Sequence, residues 1–258
     1  MKYYSQGMNC IEVLRACLLY ALIFLGCQNA FSEPSGEKSA SPFAGKTIAN
    51  LNGDDVLKLV RYSYTTVNKS FKGQLRHDKK KIPFILTLKP QSITFQFNSP
   101  EQVIQLTTSR DKLILEEKFG EKAELEAVKP EWYRSRIRGT DVIFDDISMR
   151  FLYWPKAKII KEEKFLRRDA WVVQVMNPSG LGDYGSVRVW VDKGSGSMLK
   201  MEGFEPIKGI KIKEFKVQSV EKMGDLWMVD QMLIETLNPR NGRKVSRTYL
   251  DILDEVKE

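Results

Sequence analysis

A mainly β fold (α+β), a strongly curved antiparallel sheet around an apolar interior with helices across its mouth, is predicted by three observations. The first is the hairpin Tyr184 to Phe204, where Val187, Val189 and Val191 alternate with Arg188, Trp190 and Asp192 before a Gly/Ser turn. The second is that this alternation recurs through most of the chain. The third is Leu226 to Leu237, apolar on both faces, with Trp227 and Val229 opposite Leu226 and Met228. A strand of that kind must be covered twice.

In chain order, Lys2 and Arg15 precede the apolar run Ala16 to Gly26, and Ser, Glu, Pro, Gly and Lys dominate from Ser32 to Lys46. That is the pattern of an export signal over residues 1–32 followed by a flexible linker over 33–50. The apolar run is short for a permanent membrane span. Two processing routes stand. Ala30-Phe31-Ser32 before Glu33 fits ordinary cleavage and release into the periplasm, whereas Leu25-Gly26-Cys27 resembles a lipobox, in which Cys27 would be acylated and the protein anchored at the outer membrane. The three cysteines, Cys10, Cys17 and Cys27, all lie in or beside the signal, so the domain expected over 51–258 has no disulfide to stabilise it.

Asn52 is placed to cap a helix from Gly53 to about Tyr62, with Asp54 and Asp55 in its first turn. Strands are predicted at 71–77, 82–88, 92–97, 102–107 and 112–118, then at 158–165, 170–175, 185–192, 198–204, 210–220, 226–237 and 244–253. Turn chemistry separates them, as in Lys89-Pro90-Gln91 and Asn177-Pro178-Ser179-Gly180. Between the two series, Thr140 is placed to cap a helix through Asp145, Asp146, Ile147 and Met149 to about Tyr153, ended by Pro155.

Lysine and arginine total 41 against 33 acids, a formal net charge of +8. Lys79-Lys80-Lys81 and Arg167-Arg168 fall at strand junctions, where they keep a surface soluble or attract it to anionic lipid. Nucleic acid is not an expected partner, since no binding motif is present. Enzyme chemistry finds little support. His77 is the sole histidine and reads as a solvated turn residue beside Asp78. Asp145 and Asp146 read as helix N-terminal charges rather than paired acids, and Gly194-Ser195-Gly196 as a hairpin turn with no helix after it. No cofactor is expected.

Several stretches carry a resemblance. Gly73-Gln74-Leu75, Leu88-Lys89-Pro90, Phe95-Gln96-Phe97, Ser99-Pro100 and Thr108 to Leu113 resemble, in that order, the periplasmic lipoprotein carrier and its outer-membrane receptor, the LolA/LolB-like proteins. Arg138-Gly139-Thr140-Asp141, Arg150 to Trp154, Val187 to Asp192 and Leu199 to Glu202 are similar to the broader group of outer-membrane lipoprotein-sorting proteins. The resemblance implies a half-open antiparallel barrel of about eleven strands with a helical lid, binding acyl chains without catalysis. It implies Phe84, Leu86, Phe95, Phe97, Ile104, Leu106, Val189 and Trp190 as the cavity wall. Ile147, Phe151, Trp154 and Lys89 are then the lid candidates, with Lys89 standing where the carrier has an arginine that ties the lid. From the residues alone the wall set reads as ordinary core ahead of a ligand wall, and the resemblance reverses that order. In the carrier reading Phe95 and Phe97, with Phe84 and Leu86, stand around a vacant or lipid-filled space. The partners implied are lipid or lipoprotein acyl chains, an envelope protein and a membrane surface, with the protein itself a monomer. An envelope-stress sensor on the same barrel, or a structural protein with a filled barrel, are the alternatives.

Overall fold

The computed structural model describes residues 51–63, 67–109, 112–223 and 226–256. The expected signal, linker and Cys27 lie outside the described residues, as do Arg110 and Asp111. Helix α1 is Gly53–Tyr62, capped as anticipated: the Asn52 side chain accepts from the Asp55 amide at 2.9 Å, and the Asp55 carboxylate accepts from the Asn52 amide. Its Val56, Leu57 and Val60 are buried, and the helix packs against the sheet at its second series of strands.

The strands are β1 (Lys69–His77), β2 (Lys80–Lys89), β3 (Ser92–Phe97), β4 (Gln102–Ser109), β5 (Lys112–Phe119), β6 (Glu126–Ala127), β7 (Lys158–Phe165), β8 (Arg168–Met176), β9 (Ser186–Asp192), β10 (Met198–Phe204), β11 (Lys211–Met223), β12 (Leu226–Leu237) and β13 (Lys244–Glu255). They form one 13-stranded sheet in the order β6-β5-β4-β3-β2-β1-β13-β12-β11-β10-β9-β8-β7. Every neighbouring pair is antiparallel. The sheet is therefore two meanders joined where β13 pairs with β1. It stays open, because β6 and β7 pair with nothing on their far sides. The twelve strand segments predicted from the sequence are all present and the two-residue β6 is the thirteenth, against the barrel of about eleven that the resemblance implied.

Register puts one apolar face toward the core. Phe84 pairs with Gly73 and Phe97, Leu86 with Phe71 and Phe95, and Ile104 with Phe95. In the second meander Val173, Val189, Met201, Phe215, Ile234 and Thr248 follow one another across five ladders. Period-2 alternation puts Gln74, Arg76, Arg188 and Glu202 on the opposite face.

The helix expected from Thr140 to Tyr153 is broken. Only α2 (Phe144–Ser148) is α-helical; 3₁₀ turns occupy Pro130–Trp132, Ile137–Gly139 and Arg150–Tyr153. Ile143, extended at φ −114° and ψ 164°, delays its start, and Met149 at φ 48° ends its α-helical part. Thr140 does not cap it. Its hydroxyl donates to the Ile137 carbonyl at 2.8 Å, while Ile143 is the N-cap and its amide donates to Asp146 at 2.9 Å.

Candidate functional site

The wall candidates Phe84, Leu86, Phe95, Phe97, Ile104 and Leu106 share the concave face of β2–β4 and are each at most 3% exposed. Three of them touch one another. Phe84 packs against Phe95 and Phe97 with ring centroids 5.6 and 5.7 Å apart. Its ring also occupies the space above Gly73, where an added Cβ would lie 2.5 Å from Cε2 and Cζ. The aromatic rings themselves fill the room that the missing side chain leaves.

Val189 lies on the same inner face of the second meander. Trp190, its chain neighbour, is on the other face and leaves the wall set: its indole donates to Glu163, and the Lys200 ammonium sits 4.4 Å above the ring. The alternation of a strand requires that separation. Among the lid candidates, Ile147, Phe151 and Trp154 are buried in the core. Lys89 is exposed at the end of β2 and takes no part in holding the segment among the described residues.

What fastens residues 130–154 was not anticipated. Asp141, fully buried, accepts from Ser246 and, at 2.9 Å, from the Thr248 hydroxyl; its own amide donates to Thr248 at 2.9 Å. Lys213 of β11 reaches the Asp141 carbonyl and lies 3.7 Å from Asp146. His77 is not a solvated turn residue: it ends β1 facing inward, with Nδ1 2.9 Å from the Thr248 hydroxyl and 3.2 Å from Asp141. The hydroxyl donors and Lys213 hold the Asp141 carboxyl below its ordinary value against the opposing effect of burial.

Asp145 and Asp146 form a second fastening. Asp145 accepts from Arg150 and, at 2.8 Å, from the Asp183 amide in the loop after β8. Tyr184 donates its phenol to Asp146, whose carboxyl burial pushes up to about 6 although Lys213 and Tyr184 oppose the shift. The third fastening is lighter. Arg138 donates to the Pro100 carbonyl and places its guanidinium 5.2 Å from the Phe97 ring centre. Its Nε is buried without a partner among the described residues, and desolvation lowers its pKa. Arg138 and Asp141 sit in a stretch that carried the resemblance, while Lys213 and Tyr184 gave no signal, because their role exists only once distant strands pair.

No group of three or more metal-ligating side chains occurs among the described residues, and no described helix is long and apolar enough to cross a membrane. The fold is that of several solved proteins. An outer membrane lipoprotein-sorting protein domain from Vibrio parahaemolyticus superposes with a TM-score of 0.62 at 15% identity, covering 80% of this chain and 93% of that one. A DUF1329 family protein from Desulfovibrio piger ATCC 29098 gives 0.56 at 15% identity, covering 80% and 92%. A LolA superfamily protein from Nitrosomonas europaea gives 0.55 at 12% identity, covering 81% and 94%. No curated protein matches the sequence. A family model described as uncharacterized-protein-like matches residues 126–254, which hold Arg138, Asp141, Asp146, Tyr184, Lys213 and Thr248. With that match spanning half of its length, the chain belongs to the family this model describes, and it has the LolA-like fold of the lipoprotein-sorting proteins.

Proposed function

We propose that the protein is an exported, non-catalytic binding protein that takes acyl chains of lipids or lipoproteins into the concave face of its sheet, in outer-membrane lipoprotein sorting or transport. The observation that carries this reading is the open sheet. Its interior is apolar, its edges at β6 and β7 are unpaired with each other, and a separate helical segment covers the concavity instead of a closing strand. That segment is bolted to β11 and β13 by buried polar groups, whereas toward β3 and β4 the side-chain hydrogen bond among the described residues is the one from Arg138, beside apolar packing. In this reading the aromatic side of the interior, with fewer polar fastenings, is the side that opens.

Exchange makes the binding reversible. An acyl chain gains about 0.8 kcal/mol per methylene removed from water. Displacing Ile147, Phe151 and their neighbours exposes apolar area of the same kind, which offsets much of the gain and permits release. The sequence pattern of residues 1–32 supports the periplasm as the site of action, and Cys27 supports outer-membrane anchoring as the alternative.

A second reading is favoured by one specific contact. The Phe84 ring over Gly73, packed on Phe95 and Phe97, suits a permanently filled interior with a structural role. Mass spectrometry of lipids copurified from the native envelope separates the two, together with displacement of a fluorescent fatty acid. The expected result is a bound acyl species, probe binding by the wild type, and weaker binding by Phe95→Ala. That variant also loses about 3–5 kcal/mol in urea unfolding, because Phe95 is packed in the closed state. No copurified lipid and no probe binding would leave the structural role.

A further inference from the structure

On the convex face, away from the apolar interior, the β1–β2 turn and β13 form a surface cavity of about 380 Å³. Arg76, Lys79, Lys80, Lys81, Arg247 and Tyr249 line it, with Asp78 as the one acid. Register builds it: Lys81 pairs with Arg76 and Arg76 with Tyr249, so the three side chains lie in a row across β2, β1 and β13. The floor is fixed. Arg76 donates from Nε and Nη2 to the two carboxylate oxygens of Asp251, the second at 2.9 Å, and its guanidinium sits 4.7 Å over the Tyr249 ring. Arg247 lies 5.8 Å from the centre of the same ring.

Asp251 compensates Arg76 alone. Lys79, Lys80, Lys81 and Arg247 are exposed and form no ion pair among the described residues. Farther along the convex face, on β10 and β11, the pattern is different. There Lys200, Lys211 and Lys216 are each matched by Glu202 or Glu214. A concave site that gathers unmatched cations concentrates positive potential, and a multivalent anion relieves the repulsion between them. Ammonium donors, a fixed guanidinium and a phenol, which makes no hydrogen bond among the described residues, suit a tetrahedral oxyanion. The volume leaves room for an organic group attached to it.

We propose that this cavity binds the phosphate group of a phosphate ester. The same chemistry is presented by a phospholipid headgroup at a membrane surface and by a soluble ester. The site does not depend on the acyl-binding reading, since it shares no residue with the interior.

The test uses the full chain in about 0.15 M salt, where weak surface attraction is screened. Calorimetric titration with sn-glycerol 3-phosphate and cosedimentation with phosphatidylglycerol vesicles are the two arms. The Lys79→Ala/Lys80→Ala/Lys81→Ala variant is compared with Lys122→Ala/Lys129→Ala/Lys158→Ala, which removes the same charge elsewhere. Arg247→Ala is a single-site alternative should the pocket triple variant fail to fold. Saturable binding that weakens about tenfold or more in a pocket variant and stays within about twofold in the control supports the site. If vesicle binding shows this pattern, the headgroup is the source; if only the soluble ester does, a free phosphate ester is. Binding in neither arm, or equal losses in pocket and control variants, overturns the proposal.

Discussion

Gly73 is a residue whose smallness the aromatic core depends on. An added Cβ would meet the Phe84 ring at 2.5 Å and the Asp251 carbonyl at 2.9 Å, and neither backbone nor a ring wedged between two others gives way cheaply. Gly73→Ala is expected to lose about 1–3 kcal/mol of stability by overpacking, read from the urea midpoint. Asp146 has a different signature. With its folded carboxyl pushed up to about 6 and an unfolded value near the ordinary carboxylate range, the native state binds the extra proton between about pH 4 and pH 6. Its contribution is fully present below that window and is lost as the pH rises through 6. Subtracting the stability of Asp146→Asn from that of the wild type at each pH should give a difference falling by about 2–3 kcal/mol across the window. A flat difference would mean that Asp146 is ionised throughout.

At the scale of elements, the segment over 130–154 behaves as a wedge held by polar bolts. Asp141→Ala leaves Ser246 and Thr248 without their shared carboxylate acceptor and takes a negative charge away from buried Lys213, so a loss of about 3–5 kcal/mol is expected. Limited proteolysis should cut the variant first within 130–154; unchanged cleavage would show that apolar contacts alone retain the segment. The same contrast explains what could be read in advance. Strands β3, β7, β10 and β12 were legible to the residue, because alternation and turn residues act locally. So was α1, whose cap lies within four residues of sequence. The broken helical segment was not, since Arg138 and Met149 adopt left-handed backbone only because their surroundings demand it. His77, Lys213 and Tyr184 escaped for a related reason. Their partners lie 38 to 171 residues away, and no local pattern announces them. The inner aromatic set was legible as a face of the sheet, whereas whether it encloses space or fills it depends on Gly73 being opposite Phe84 across a ladder.

For the whole molecule, the N-terminal pattern makes a prediction that fractionation and N-terminal sequencing can check. The mature chain is expected to begin at Glu33 and to appear in the soluble periplasmic fraction. Palmitate labelling that vanishes in Cys27→Ser would instead make it a membrane-anchored protein.

The position of β13 sets a timetable. It comes last in the chain among the described strands, yet it lies in the middle of the sheet, between β1 and β12, and its ladder with β1 joins the two meanders. Until the ribosome has released this stretch, the first meander has no strand to dock on, and the long sequence separation makes its final pairing slow. A polypeptide wired in this way keeps its two meanders apart until this strand has been made. If the chain is exported as we propose, that delay keeps it threadable through a membrane until this strand has followed.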